Sequence, residues 1–228
     1  MGREIEIKIP LTDLEYDKIF SVIFGKQILT GVEVKDSPER LLKSDEYYSR
    51  YDSREESKAA GEPQVIRIRS EKGAEQTALS SGLVDFSENA QKSDVTTGVA
   101  KTNERSFFCI KRKSIENGIE INREDETFVE NPEVVRDLLQ LSGYHKFFDK
   151  KKDAYGVHCS SVVLPDCDFH LELEMVNGLK YIEVEVTDGA DKADDVRMAL
   201  EKFMEQFGLD TSKRDKRSWM EIINGSAR

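Results

Sequence analysis

The sequence contains few of the residues that build disulfide frameworks or zinc sites. Its 228 residues include three cysteines and three histidines. The cysteines, Cys109, Cys159 and Cys167, form no CxxC pair, and their odd number fits reduced thiols in the cytoplasm. Histidine and cysteine come close together at 158–159 and 167–170, but this spacing matches no common zinc pattern. We therefore interpret these four residues as incidental.

Long apolar runs are also missing. No run approaches the roughly 18–20 residues that a transmembrane helix requires, and the first residues do not resemble a secretory leader. Met1-Gly2 opens the chain, but Glu6 stands where a myristoylation signal needs Ser or Thr. We therefore expect a cytoplasmic protein, monomeric or homodimeric, that does not associate with membranes.

Positive charge is in deficit, because 34 Lys and Arg face 45 Asp and Glu, for a net charge of −11. A broad nucleic-acid-binding surface usually gives a basic domain, so nucleic acid is not an expected partner, except as an RNA 5′ end. A small anionic ligand in an internal basic pocket remains compatible with this balance. Hydrophobic residues make up 38% of the chain, which is enough for a single domain over 1–228 with a real core.

Alternating apolar and polar residues predict mainly β structure. The predicted strands are 3–9, 44–51, 64–70, 106–113, 118–129, 146–157, 168–176 and 180–187. Capping and helical periodicity predict helices from Thr12 to about Phe24, from Asn131 to Gly143, over 191–207 and over 215–224. We expect a long mobile loop at 71–105 and irregular structure at 25–43.

One hairpin carries an unusual charge pattern. In LELEMVNGLKYIEVEV, residues 171–186, Asn177-Gly178 predicts a two-residue turn. That turn places Glu172 opposite Glu183, Glu174 opposite Tyr181, and Glu185 opposite His170. The four glutamates then share one face, and aliphatic residues fill the other. An ordinary solvated face is one interpretation; the other is that the carboxylates point inward and bind a cation such as Mg²⁺ or Mn²⁺.

Other strands repeat the pattern. REIEIKIP places Glu4, Glu6 and Lys8 on one face, and VIRIRS places Arg67 and Arg69 on one face. Lys111 and Lys113 alternate in FFCIKRKS, as do Lys150 and Lys152 in DKKKDAY. If the polar faces meet, the sheet closes around a charged interior and helices cover its aliphatic exterior. Eight strands enclose room for one small ligand. Carboxylates would then bind metal, and Arg and Lys would bind phosphate oxygens.

The sequence resembles a known family at this point. The Glu4-x-Glu6-x-Lys8 pattern is similar to the ExExK signature of CYTH domains, the triphosphate tunnel metalloenzymes. The resemblance continues in order through SDEYYSRYD, VIRIRS, IKRKS, NREDE, KKKDAY, YIEVEV and KRSWMEII. It implies an α+β fold, an eight-stranded antiparallel β-barrel with helices packed outside, whose tunnel binds a triphosphate with Mg²⁺ or Mn²⁺.

The resemblance also implies roles for individual residues. Glu6 and Lys8 are the candidate catalytic residues. The candidate metal ligands are Glu4, Glu6, Glu183 and Glu185, with Glu172 or Glu174 in place of an Asp that the family often has before the last hairpin. The candidate phosphate-binding residues are Lys8, Arg67, Arg69, Lys111, Lys113, Lys150, Lys152 and Arg217. Glu124 and Glu126 are possible further acids.

Four functions are compatible with this resemblance. The leading hypothesis is metal-dependent hydrolysis of a linear triphosphate, such as inorganic tripolyphosphate or thiamine triphosphate. The second is an adenylyl cyclase, which uses the same metal and phosphate contacts but forms cyclic AMP from ATP. An RNA 5′-triphosphatase is third, and a polyphosphate-binding module without turnover is fourth. The complete acidic set favours catalysis over binding alone.

Overall fold

The computed structural model describes residues 2–62, 64–73, 104–116, 119–188 and 193–226, and within these ranges it gives no side-chain positions for 2–4, 113–122, 188, 193–194 and 226. The strands are β1 Gly2–Pro10, β2 Val32–Val34, β3 Glu39–Ser49, β4 Val65–Gly73, β5 Glu104–Glu116, β6 Ile119–Phe128, β7 His145–Ser161, β8 Leu164–Val176 and β9 Leu179–Asp188. The α-helices are α1 Asp13–Ile23, α2 Arg54–Ala59, α3 Pro132–Leu141, α4 Ala193–Gln206 and α5 Trp219–Ser226, with a short 3-10 helix at Thr211–Lys213.

Eight of these strands close into an antiparallel barrel. The order along the sheet is β7-β3-β4-β5-β6-β1-β9-β8, and β8 pairs again with β7. The short β2 adds to the end of β7. β7 closes the barrel, because its residues 152–156 pair with β3 on one side and with β8 on the other. The predicted eight-stranded antiparallel barrel with outer helices is confirmed.

The β8–β9 hairpin has the predicted register. Glu172 lies opposite Glu183, and Glu174 opposite Tyr181. The turn is possible because Asn177 and Gly178 both adopt positive φ, 49° and 83°, which a two-residue turn between right-twisted strands requires. This register determines which side chains of the hairpin share a face, because a shift of the pairing by one residue would place every glutamate among the aliphatic side chains.

The hydrophobic core lies outside the barrel, between the sheet and two helices. Strand residues of β1, β8 and β9 pack here with apolar residues of α1 and α4; they include Ile5, Ile7, Ile9, Leu171, Leu173, Ile182, Val184, Ile19, Leu200 and Phe203. α3 covers a second, smaller cluster through Leu139. This arrangement leaves the barrel interior to the polar faces of the strands. None of the described helices is both long and apolar enough to cross a membrane.

Three sequence predictions need correction. Residues 25–43 are not wholly irregular, because β2 and the first part of β3 lie there. The predicted loop at 71–105 is shorter at both ends, since 71–73 belong to β4 and 104–105 to β5, and 74–103 lie outside the described residues. The last helix begins at Trp219 rather than 215, because the Ser218 hydroxyl accepts a hydrogen bond from the backbone of Glu221 and so caps the helix.

Candidate active site

A cavity of about 320 Å³ occupies the barrel interior. Each of the eight barrel strands contributes at least one side chain to its wall. The strand residues that line it are Glu6, Lys8, Lys43, Tyr47, Val65, Arg67, Arg69, Lys111, Glu124, Phe148, Lys150, Lys152, His170, Glu172, Glu183, Val184 and Glu185, joined by Arg54, Ser218, Trp219 and Met220. The alternating charges of the sequence therefore face one cavity, and the solvated-face interpretation of the β8–β9 hairpin is wrong.

Three buried glutamates surround one lysine on the β7–β9 side of the cavity. The Lys152 ammonium lies 2.8 Å from oxygens of both Glu172 and Glu183, and it also forms an ion pair with Glu174. Glu172 makes a second ion pair, 2.5 Å long, with Lys43. Oxygens of the three carboxylates lie within 4.8 Å of one another. Two lysines therefore hold together an acid cluster that would repel itself without them.

The pKa values of these acids separate in opposite directions. Burial alone would raise the pKa of Glu183, but Lys152, Lys150 and Lys8 outweigh that effect and hold it well below the usual range. Burial raises the pKa of Glu174 to about 8, with the Glu183 charge acting in the same direction and Lys152 against it. Glu174 is fully buried. Near neutral pH the cluster therefore holds one carboxyl group that takes up a proton easily.

The neighbouring strands β3 and β4 hold another buried carboxylate, Asp45. Asp45 on β3 lies directly opposite Arg69 on β4 and Lys150 on β7. Arg69 donates two hydrogen bonds to it, of 2.7 and 3.0 Å, and Lys150 lies 3.4 Å away. Burial would raise the pKa of Asp45, but Arg69 and Lys150 dominate and lower it well below its usual range. Asp45 thus fixes both cations in the cavity wall.

Arg67, also on β4, contacts two glutamates of β6. Its guanidinium group lies 3.2 Å from Glu124 and 3.1 Å from Glu126. Lys111 lies 2.6 Å from the other oxygen of Glu124. Burial opposes ionisation of Glu124, but Lys111 and Arg67 lower its pKa to about 2. Arg67 is itself only 5% exposed, so its charge stays in the wall through these ion pairs.

β1 lies between β6, which carries Glu124, and β9, which carries Glu183 and Glu185. Glu6 lies opposite Glu185 of β9, and Lys8 lies opposite Glu183. Lys8 is buried, and all four side chains line the cavity. Glu6 and Lys8 of the ExExK pattern therefore lie beside Glu183 and Glu185, the two β9 glutamates predicted to belong to the same site.

Four predicted site residues are not placed at the cavity, and the first of them is Glu174, which is fully buried and does not line it. Arg217 is exposed and donates two hydrogen bonds to Asp215, and it does not line the cavity. Glu4 and Lys113 lie on β1 and β5, but their side chains are outside the described residues. Among the possible further acids, Glu124 lines the cavity, and Glu126 contacts Arg67 from a more exposed position.

Several cavity residues were missed by the sequence reasoning. Lys43 and Tyr47 line the cavity and alternate along β3 with the buried Asp45, which does not line it; this alternation in LKSDEYY was the available signal. Trp219 was assigned only to a tail helix. Its indole nitrogen donates a 3.0 Å hydrogen bond to Glu183, and the Lys150 ammonium lies 5.4 Å from its ring centre. α5 thus places an aromatic ring beside both Glu183 and Lys150. The local sequence did not predict this contact.

The histidines and cysteines near β7 and β8 do not form a four-residue zinc site. Cys159 and Cys167 are buried in the outer hydrophobic core. His158 and His170 lie on the same two strands as the cysteines but on the opposite face, and His170 lines the cavity. Because neighbouring residues of a strand point to opposite faces, the thiols and the imidazoles are kept apart.

The acidic side of the cavity has the donor set that Mg²⁺ or Mn²⁺ prefers. Glu6, Glu183 and Glu185 offer carboxylate oxygens on adjoining strands, and hard divalent ions take oxygen ligands. Lys152 already contacts Glu183, so an ion bound there would share this carboxylate with a lysine.

Neither a protein-family model nor a curated protein sequence matches this chain. Solved structures do. The protein PH1819 of Pyrococcus horikoshii OT3 superposes with a TM-score of 0.62 at 18% identity, over 98% of this chain and 99% of that one. A proposed adenylate cyclase from Vibrio parahaemolyticus gives 0.58 at 18% identity, over 97% of both chains.

A third similar structure is an adenylyl cyclase candidate from Hippeastrum whose dominant activity is that of a triphosphatase. It superposes with a TM-score of 0.53 at 12% identity, over 99% of this chain and 96% of that one. Similarity at this level of identity establishes a shared fold. These structures share the fold of this chain, which is the eight-stranded barrel that the resemblance to CYTH domains implied.

Proposed function

We propose that this protein hydrolyses a linear triphosphate, inorganic or attached to a small organic group, with the help of Mg²⁺ or Mn²⁺. The observation that carries the proposal is that cationic side chains and carboxylates line one cavity. We call Arg67, Arg69, Lys111 and Lys150, on β4, β5 and β7, the basic wall, and Glu6, Glu183 and Glu185, on β1 and β9, the acidic wall. A triphosphate with bound metal carries both charges that such walls attract.

The basic wall would bind and orient the phosphate chain. Arg67 can donate parallel hydrogen bonds to two nonbridging oxygens, a geometry suited to phosphate. Lys8 and Lys111 would add point charges on either side of the chain. Inside the cavity these cations would stabilise the charge that develops on the transferred phosphoryl group more strongly than they would in bulk water.

The acidic wall would hold the metal and the attacking water. Glu6, Glu183 and Glu185 would bind the ion, with Glu4 two residues earlier on β1 and Glu172 and Glu174 on the neighbouring β8. When bound, the ion supplies charge neutralisation and polarisation of the scissile phosphoryl group. Glu6 accepts a hydrogen bond from the water that attacks in line, and no covalent enzyme intermediate is required.

Adenylyl cyclase activity is the second candidate, and one feature of the cavity favours it. Tyr47 and Phe148 face each other in the wall with ring centres 5.4 Å apart, and Trp219 and Met220 line the same cavity. Such residues could contact a nucleobase. The Hippeastrum neighbour combines a cyclase assignment with dominant triphosphatase activity, which supports placing hydrolysis first here.

An assay of the purified protein tests the proposal. Tripolyphosphate, thiamine triphosphate and ATP would each be incubated with Mg²⁺ or Mn²⁺ and again after chelation with EDTA. We expect metal-dependent phosphate release from at least one of them. Cyclic AMP from ATP would establish the second candidate instead. Tight binding of triphosphate without any product would contradict both and indicate a binding module.

A further inference from the structure

Two of the three histidines face each other where the cavity wall meets solvent. His158 on β7 and His170 on β8 are direct partners across the strand pair, and their ring centres are 5.1 Å apart. The His170 side chain is 24% exposed and lines the cavity, whereas that of His158 is 54% exposed. The proposed hydrolysis uses neither ring.

Each imidazole has a carboxylate at the same ring nitrogen. His158 Nδ1 lies 2.7 Å from Asp36, which also accepts a hydrogen bond from the His158 backbone. His170 Nδ1 lies 3.3 Å from Glu185. Within the described part of the chain, neither Nε2 has a hydrogen-bond partner. A carboxylate at Nδ1 favours the tautomer that leaves a lone pair on Nε2, and metal-binding histidines are oriented by this type of contact.

Gly156 provides the space for the second ring. A Cβ atom at this position would lie 3.1 Å from His170 Nε2, which is closer than an ordinary contact, so another residue there would require the imidazole to shift by a few tenths of an ångström. Gly156 lies two residues before His158 on the same face of β7. The absence of a side chain at Gly156 therefore leaves room for His170 Nε2 against β7, the strand that carries His158.

We propose that His158 and His170 bind one borderline transition-metal ion, of the Zn²⁺ class, through their Nε2 atoms. Imidazole nitrogen suits Zn²⁺, Ni²⁺ and Cu²⁺, whereas Mg²⁺ prefers oxygen. The site therefore differs in chemistry from the carboxylate wall, and it stands whether or not the protein hydrolyses triphosphates. Water fills the remaining coordination positions, so binding is weaker than in a closed four-ligand site.

Zinc titration by calorimetry tests this site on the full chain. The protein would be titrated with ZnCl₂ in excess Mg²⁺, which competes for the carboxylates. The variants are His158→Gln and His170→Gln, with His145→Gln as the matched control, because His145 is the remaining histidine and pairs with Asp52 outside the site. Circular dichroism would verify that each variant is folded.

We expect one zinc ion per chain in the wild type and in the control. Each of the two site variants should weaken binding by at least about tenfold, since outer-shell partners alone are worth 10–100-fold. Absence of zinc binding by the wild type would overturn the proposal. So would undiminished binding by either site variant, because the ion would then lie elsewhere, on the carboxylate wall or on the surface.

Discussion

The Lys152 ammonium lies 2.8 Å from a carboxylate oxygen of Glu183, inside the barrel. Both side chains are nearly inaccessible, at 5% and 14% exposure. Lys152 was expected to bind phosphate, yet its contacts are with three carboxylates. In this structure it therefore acts as an internal counter-charge, occupying space among acids that would otherwise require a cation.

Replacing Lys152 should make the fold dependent on metal. Lys152→Met leaves the buried acids without their main counter-charge, and breaking a buried pair in this way costs about 3–5 kcal/mol. We expect a lower free energy of urea unfolding without metal, and a larger gain from Mg²⁺ than the wild type shows. Lys151→Met is the matched control, because Lys151 is exposed on the adjacent position. Equal Mg²⁺ gains in the variant and the wild type would argue against a metal site at these carboxylates.

Arg67 should contribute directly to triphosphate binding. Arg67→Ala removes a charge-assisted contact of about 1.5–3 kcal/mol, so turnover or affinity should fall by roughly 10- to 100-fold. Arg67→Lys should recover only part of this loss, since Lys lacks the forked geometry. The comparison is Arg112→Ala, which removes an exposed arginine paired with Asp125. Kinetics of phosphate release would measure the effect, and equal losses in Arg67→Ala and Arg112→Ala would refute the assignment.

Arg69 should behave differently because it anchors a buried acid. It donates two hydrogen bonds to Asp45, so Arg69→Ala leaves that carboxylate with Lys150 and the Tyr47 hydroxyl. We expect this variant to lose stability as well as phosphate affinity. Urea unfolding would show a deficit larger than that of Arg67→Ala, whose loss leaves Glu124 paired with Lys111. Matching unfolding energies would contradict this difference.

Asp45 should make stability fall in acid. Because its folded pKa is lowered well below the ordinary value, its contribution is complete above the unfolded pKa of about 3.9 and is lost as pH falls through the folded value. Asp45→Asn should be less stable than the wild type at pH 7, and this gap should shrink by pH 3. Urea unfolding at pH 7, 4.5 and 3 measures it. A gap that stays constant to pH 3 would exclude the effect.

Glu174 should act in the opposite direction. Burial raises its folded pKa to about 8, whereas the unfolded value is about 4.3. Its contribution is therefore complete below pH 4 and is lost as pH rises through 8. In the absence of metal, Glu174→Gln should gain stability relative to the wild type between pH 5.5 and 8.5. Parallel unfolding energies across this range would show that Glu174 stays ionised in the folded protein.

The register of the hairpin could be predicted from sequence because the constraint is local. Asn177-Gly178 fixes a two-residue turn, and the period of a strand then determines every pair as far as Glu185. Alternation likewise identified Arg67 and Arg69 as neighbours on one face. Both inferences need only the geometry of one or two strands.

Contacts across the barrel could not be predicted in this way. Alternation shows which face Lys152 occupies, but its contact with Glu183 depends on the closure of β7 against β8. Asp45 was missed although it alternates with Lys43, since no local rule distinguishes an inward acid from an outward one. The resemblance predicted Arg217 at the cavity, but α5 begins at Trp219, and the Trp219 side chain lines the cavity instead.

Turnover by a Glu183 variant tests the central claim most directly. Glu183→Gln keeps the size of the side chain and its place in the wall but removes the charge that would bind metal. Phosphate release from the best substrate would be measured with saturating Mg²⁺, beside Glu205→Gln, which changes an exposed glutamate on α4. We predict a loss of at least about a hundredfold for Glu183→Gln, with no change for the control. Full activity in a folded Glu183→Gln protein would contradict catalysis by a metal held in this barrel.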